Sequence, residues 1–287
     1  MKLHTIDTGY FRLDGGAMFG VVPKSIWNKL NPADENNMCN WAMRSMLIEE
    51  GNRLILVDTG IGNKQSEKFF SYYFLNGEAS LNSSLEGAGF RADDITDVIL
   101  THLHFDHCGG AVVKKENSLL PAFKNATYWS NRQHWEWAVN PNEREKASFL
   151  KENILPLAES GQLKFIEDPV STAENKLPGM HFAGHIDIRT VSGHTESMML
   201  PQVQYKGRTV VFMADLLPSQ GHIPVPYVMA YDMFPLTTLR EKKAFLNEAV
   251  ENDYILFFQH DPVYECCTLE QTERGIRPKE FFTLSEL

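Results

Sequence analysis

His102-Leu103-His104-Phe105-Asp106-His107 packs three imidazoles and a carboxylate into six positions, directly after the apolar run Asp97-Val98-Ile99-Leu100-Thr101. On a helix, side chains two apart point to nearly opposite sides, whereas in extended chain they share a face. His102 and His104 therefore grip one ion only if the chain leaves a strand and stays extended. Asp106 and His107 lie beyond that pair, where a turning chain can aim them at a second ion. Gly109-Gly110 follows at once, and glycine lets the backbone turn sharply. The hexapeptide reads as the beginning of two metal sites.

Other apolar runs end on residues of the same kind. Arg53-Leu54-Ile55-Leu56-Val57 ends at Asp58-Thr59-Gly60, and His185-Ile186-Asp187-Ile188-Arg189-Thr190-Val191 is followed by Ser192-Gly193-His194. Thr209-Val210-Val211-Phe212-Met213-Ala214 ends at Asp215, and Tyr254-Ile255-Leu256-Phe257-Phe258-Gln259 ends at His260. The β-rich composition and, in 185–191, the alternation predict strands. Open α/β sheets build their sites at the carboxyl ends of strands, so only tertiary folding can bring these donors together.

Helices are expected between the strands. Thr238-Leu239-Arg240-Glu241 has the pattern of a capping box opening a helix through Val250. Residues 142–160 read as helical, bent at Pro156 and stopped by Gly161, and 80–88 as a helix ending near Gly89. Alternating strands and helices indicate an α/β fold with helix-covered sheets. With no linker or tandem repeat visible, residues 1–287 are expected to form a single domain of two halves meeting at the metals.

The net charge of −10, with no basic run, argues against nucleic acid or an anionic membrane surface as partner and favours a small molecule. The N-terminal residues lack an apolar stretch of signal-peptide length and no 18-residue apolar run occurs, which gives a cytoplasmic protein as the expectation. Cys39, Cys108, Cys266 and Cys267 are too few and scattered for a disulfide framework and read as reduced thiols.

Taken together, His102-x-His104-x-Asp106-His107, His194, Asp215 and His260 in that order, with Asp58-Thr59-Gly60 upstream, resemble the metallo-β-lactamase superfamily. The resemblance implies its four-layer αββα sandwich. It also implies that His102, His104 and His194 bind one metal, that Asp106, His107 and His260 bind the other, and that Asp215 bridges both. Asp58 falls outside that ligand set; ligating histidines usually pass their second N–H to a carboxylate, and Asp58 is assigned that role, beside its plain reading as a turn residue. Imidazole and carboxylate donors without thiolate suit two divalent ions, zinc first, with manganese, iron or cobalt also fitting.

Within the superfamily, residues 15–24 and Asp215-Leu216-Leu217-Pro218 with His222-Ile223 look like quorum-quenching N-acyl homoserine lactone lactonases and methyl parathion hydrolases. The expected reaction is hydrolysis of a lactone or ester by a hydroxide shared between two cations, with Asp106 orienting it or shuttling its proton and Asp215 holding both ions. Many lactonases carry a tyrosine three residues after the bridging Asp, where this chain has Pro218. That departure gives weight to the alternative, a phosphotriester or aryl ester hydrolase. A third reading keeps the metals as fold-holding ions of a binding protein.

The substrate pocket is expected in the loops. Residues 63–77 carry Phe69, Phe70, Tyr72, Tyr73 and Phe74, and 216–235 carry four prolines and His222. An apolar wall with a few polar anchors suits an acyl or aryl group; Met18 and Phe19 line it by resemblance, and His222 is a candidate donor to a substrate oxygen. Each also has a plainer reading, as core for the aromatics and Met18 and as a structural or solvated loop residue for His222. A self-complementary apolar patch from the aromatic loop would make a homodimer.

Overall fold

β-branched and aromatic runs bounded by turn residues become strands here much as their composition requires. The computed structural model describes residues 1–167, 177 and 179–287. The chain forms two compact units, Met1–Gly9 with Met43–Asp168 and Tyr10–Ala42 with Pro169–Leu287.

The strands met first along the chain are β1 (Lys2–Asp14), β2 (Met38–Glu50), β3 (Arg53–Val57), β4 (Asp97–Ile99), β5 (Val112–Lys115), β6 (Ser118–Pro121), β7 (Thr127–Asn131) and β8 (Leu163–Ile166). Among the described residues six of them form one sheet in the order β1-β2-β3-β4-β7-β8, with β5 and β6 as a separate hairpin. β3, β4, β7 and β8 run parallel, β2 antiparallel to β3. Parallel strands need both faces covered and so read as continuous apolar runs. Ile55, Leu56, Val57, Val98 and Ile99 are accordingly all fully buried. Leu56, Val98, Leu100 and Tyr128 share one core cluster with Ile154 and Leu157 of the helix Lys151–Glu159.

The second unit holds β9 (Gly179–Ala183), β10 (Ile186–Val191), β11 (Met198–Tyr205), β12 (Arg208–Phe212), β13 (Ile255–Phe257), β14 (Cys266–Thr272) and β15 (Gly275–Phe282), ordered β15-β14-β13-β12-β11-β10-β9. Only the β12–β13 pair is parallel among the described strands of that sheet. The long connection between those two strands contains the helix Pro235–Glu251, which buries Phe245, Leu246 and Ala249.

Two helix expectations are corrected. The helix expected over 142–160 is formed only at Lys151–Glu159, with Pro156 inside it. Asn142 instead accepts the backbone N–H of Arg144 and Glu145, closing a local turn that competes with helix. The helix expected to open at Thr238 starts three residues earlier, at Pro235, where the missing N–H costs no hydrogen bond. Glu241 is therefore no cap, and its carboxylate faces the Ser192–Gly193 backbone. The helix expected near 80–88 is present at Leu81–Gly87, capped by Ser80. All four cysteines are buried, and none is in a disulfide among the described residues. Among the described residues no helix is long and apolar enough to cross a membrane.

Candidate metal centre

Each donor segment leaves its strand by the same step. His102 lies three residues past the end of β4, His194 three past β10, Asp215 three past β12 and His260 three past β13, while Asp58 directly follows β3.

In the first unit, His102 Nε2 and His104 Nδ1 stand 3.1 Å apart, so the two rings do share a face. Residues 105–108 then form one helical turn, which carries His107 back until its ring centroid is 3.8 Å from that of His102. Asp106 Oδ2 lies 3.7 Å from His107 Nε2. All four side chains are buried.

What surrounds them sets which nitrogen of each ring carries the proton. Asp58 accepts the N–H and the O–H of Thr101, each at 2.8 Å, and its Oδ2 is 3.0 Å from His107 Nδ1. The Thr101 hydroxyl, having given its proton to Asp58, accepts from His102 Nδ1 at 3.1 Å. Glu145 Oε1 takes the Nε2–H of His104 at 3.0 Å. With those N–H groups committed, His102 Nε2, His104 Nδ1 and His107 Nε2 carry lone pairs, the arrangement by which outer carboxylates orient metal-binding histidines. Glu145 is itself held by Trp137 Nε1 at 2.6 Å, and His134 Nε2 accepts the Leu103 N–H at 2.8 Å.

The second unit repeats the logic. His194 Nδ1 donates to Asp232 Oδ1 at 2.9 Å and His260 Nδ1 to the Ala42 carbonyl at 2.7 Å. Their Nε2 atoms each lie 3.1 Å from a different oxygen of Asp215. Burial pushes the His194 pKa down, but Asp215 and Asp232 more than offset it and raise it to about 10. A ring with a carboxylate at each nitrogen demands positive charge, supplied by a proton or by a cation in its place. The donors are imidazole and carboxylate throughout. Cys108, next to His107 in the chain, donates to Leu103 O, and burial pushes its pKa up. Each unit thus carries a buried cluster of the metal-binding kind, and this donor set fits borderline divalent ions.

Of the expected pocket residues, Phe69 packs edge-on against Phe105, centroids 5.3 Å apart, and against Phe70 at 5.5 Å. Tyr73 lies 4.7 Å from the same Phe105 ring. In the second unit Met18 and Phe19 are buried, and Phe19 stacks between Trp27 at 5.4 Å and His222 at 4.6 Å. His222 Nε2 donates to Met18 O at 2.9 Å and Ser219 donates to Nδ1 at 2.8 Å. With both nitrogens engaged, His222 has no donor left for a substrate oxygen and acts as a brace.

Sequence reasoning missed Glu145 and Asp232. A single acidic residue far along the chain from the histidine it steadies has no spacing to betray it; the local turn at Asn142 that places Glu145 lay inside the stretch read as helix.

A family model described as the metallo-β-lactamase superfamily matches residues 44–260. N-acyl homoserine lactonases of Bacillus thuringiensis are 30% identical over 165 residues, 54% of this chain and 56% of theirs, so the match spans about half the length of those relatives. A lactonase of the same name from a Bacillus species is 25% identical over 91% of this chain and 93% of its own. A solved structure of a probable metal-dependent hydrolase from Staphylococcus aureus aligns with a TM-score of 0.87 at 27% identity, covering 98% of this chain and 96% of that one. AidC, described as a dizinc quorum-quenching lactonase, aligns at 0.75 with 22% identity, over 98% and 95% of the two chains, a likeness of fold. The α/β fold and family expected from the hexapeptide and its four strand-end partners are thereby borne out, and the chain belongs to the metallo-β-lactamase superfamily.

Proposed function

We propose that this protein is a dinuclear metal-dependent hydrolase that opens a lactone, an N-acyl homoserine lactone first, in quorum quenching. His102, His104 and His194 hold one ion, Asp106, His107 and His260 the other, and Asp215 bridges them, so that residues 1–287 work as one domain. The observation that carries the reading is the fixing of the tautomers. Each of the five histidines has one nitrogen committed to Asp58, Thr101, Glu145, Asp232 or Ala42, which leaves the other as a ligand. Asp215, with one oxygen toward each of two histidines, suits a bridge.

Two bound divalent ions, zinc first, would activate water as a nucleophile and stabilise charge on the carbonyl and leaving oxygens. Asp106 takes the proton of the attacking water. The water oxygen bonds to the carbonyl carbon, the ring C–O bond breaks, and the proton passes from Asp106 to the departing alkoxide. Phe69, Tyr73 and Phe105 make an apolar wall for the acyl chain. The substrate is a small molecule and the protein works in the cytoplasm.

One observation favours a second reading, hydrolysis of a phosphotriester or aryl ester. Pro218 brings no hydroxyl to the position three residues after Asp215, and its carbonyl is taken by the His260 N–H at 3.0 Å. The test is elemental analysis of metal-loaded protein followed by turnover on a panel of acyl homoserine lactones and a nitrophenyl phosphotriester. Two ions per chain with faster lactone opening is the expected result. Faster phosphotriester cleavage selects the second reading, and two ions with no turnover of either makes the metals structural.

A further inference from the structure

Residues 232–241 form one of the segments that hold His194. Asp232 accepts its Nδ1–H, Met233 N–H donates to its carbonyl at 3.0 Å, and Phe234 N–H to the Gly193 carbonyl at 2.8 Å. Seven residues on, Glu241 returns to the same strand end. Its Oε1 accepts the Ser192 N–H at 2.7 Å and its Oε2 the Gly193 N–H at 2.9 Å. The approach is tight, since a Cβ on Gly193 would lie 2.3 Å from Thr238 Oγ1 and 2.5 Å from Thr238 N. The backbone just before His194 is therefore pinned by the Glu241 carboxylate from the helix Pro235–Glu251.

We infer that Glu241 is a positioning residue for His194: by holding the N–H groups of both preceding residues, it sets the affinity of the ion that His194 binds. The inference rests on the dinuclear reading above. A helix docked on a sheet needs only apolar contact, which Phe245, Leu246 and Ala249 supply. A carboxylate divided between two consecutive backbone donors does something more specific, because it fixes the direction in which the next side chain leaves the chain. Glutamine at 241 keeps one acceptor and turns an N–H₂ donor toward the other backbone N–H. It alters that direction while nearly preserving volume.

The experiment measures zinc stoichiometry and affinity by chelator competition, with the melting temperature of the metal-free protein alongside, for wild type and Glu241→Gln. Wild type is expected to hold two zinc ions. The variant is expected to hold one as tightly and the other about 10-fold to 100-fold more weakly, the range found for outer partners of metal ligands. Glu241→Asp keeps the charge with a shorter reach and should fall between the two; it replaces the glutamine variant if that one does not fold. A purely structural role would lower the metal-free melting temperature and leave both zinc affinities as in wild type, which overturns the inference. Wild type holding fewer than two ions overturns the dinuclear reading instead.

Discussion

Glu145 Oε1 lies 3.0 Å from His104 Nε2, and the same carboxylate accepts the Trp137 indole N–H through its other oxygen. The carboxylate is buried, so its charge is poorly screened and falls on the imidazole it steadies. Glu145→Ala frees the ring to turn and removes the acceptor that keeps Nδ1 unprotonated. Metal affinity should drop about 10-fold to 100-fold, read by chelator competition, with the far-ultraviolet circular dichroism unchanged. Trp137→Phe, which removes only one support of Glu145, should have a smaller effect in the same direction.

Asp58 makes three bonds in a site with no access to water: to Thr101 N, Thr101 Oγ1 and His107 Nδ1. Its backbone is left-handed at φ 58, a conformation asparagine tolerates. Asp58→Asn therefore leaves the turn intact while setting an N–H₂ group against donors. One bond is lost and a buried donor stranded, a cost of about 1–3 kcal/mol in denaturant titrations of the metal-free protein. A change near zero would mean that the three bonds do not matter to the folded state.

The strand-end donor segments were legible because each is a local pattern, an apolar run ending on His or Asp. What steadies them was not, because Glu145, Asp232 and Glu241 act across 41, 38 and 48 residues of chain. Thr238 and Glu241 mimicked a capping box, and the mimicry hid a tertiary contact behind a local one. The aromatic loop was read as a pocket, and Phe69 and Tyr73 do gather on Phe105. Phe19, placed at the pocket by resemblance, and His222 are stacked on each other inside the second unit. Composition alone does not distinguish an aromatic that lines a cleft from one that fills a core.

Gly109 and Gly110 are needed for a different reason from the sharp turn that the sequence suggested. Neither has a positive φ; the strand-end loop of residues 59–61 passes over them instead. A Cβ at Gly110 would meet Thr59 O at 2.2 Å, and one at Gly109 would meet Ile61 O at 2.1 Å. The obstacle is backbone, which a rotamer change cannot relieve. Gly110→Ala should push residues 59–60 away, breaking the Gly110 N–H bond to Gly60 O and straining the Thr59 N–H bond to His107 O. Destabilisation of about 1–3 kcal/mol is expected, with weaker metal binding because Asp58 and His107 shift together. Ser84→Ala, which removes one hydrogen bond from the helix Leu81–Gly87 to Asp7 O of β1 in the same unit, should cost less and leave metal binding unchanged.

His222 gives the metal-free protein a definite acid response. Burial holds its folded pKa down at about 3, against an ordinary value of 6.5. The folded ring must stay neutral, since Nδ1 accepts the Ser219 hydroxyl proton. The unfolded chain takes up a proton as pH falls through 6.5, whereas the folded chain refuses it until about 3. A group with a lowered folded pKa contributes stability that is present above the unfolded pKa and lost as pH falls, here across that window. Between those limits one proton gives a slope of about 1.4 kcal/mol per pH unit. Denaturation midpoints of the metal-free protein at pH 6.5, 5.5 and 4.5 should fall steadily. His222→Phe keeps a ring to stack on Phe19 and pack at a tilt against Trp41 and should be less stable at neutral pH, having lost the bonds to Met18 and Ser219. Its stability should decline less steeply on acidification, by up to one proton's slope. Equal slopes for the two proteins would show that a charged His222 is tolerated in the fold and that its brace role is wrong.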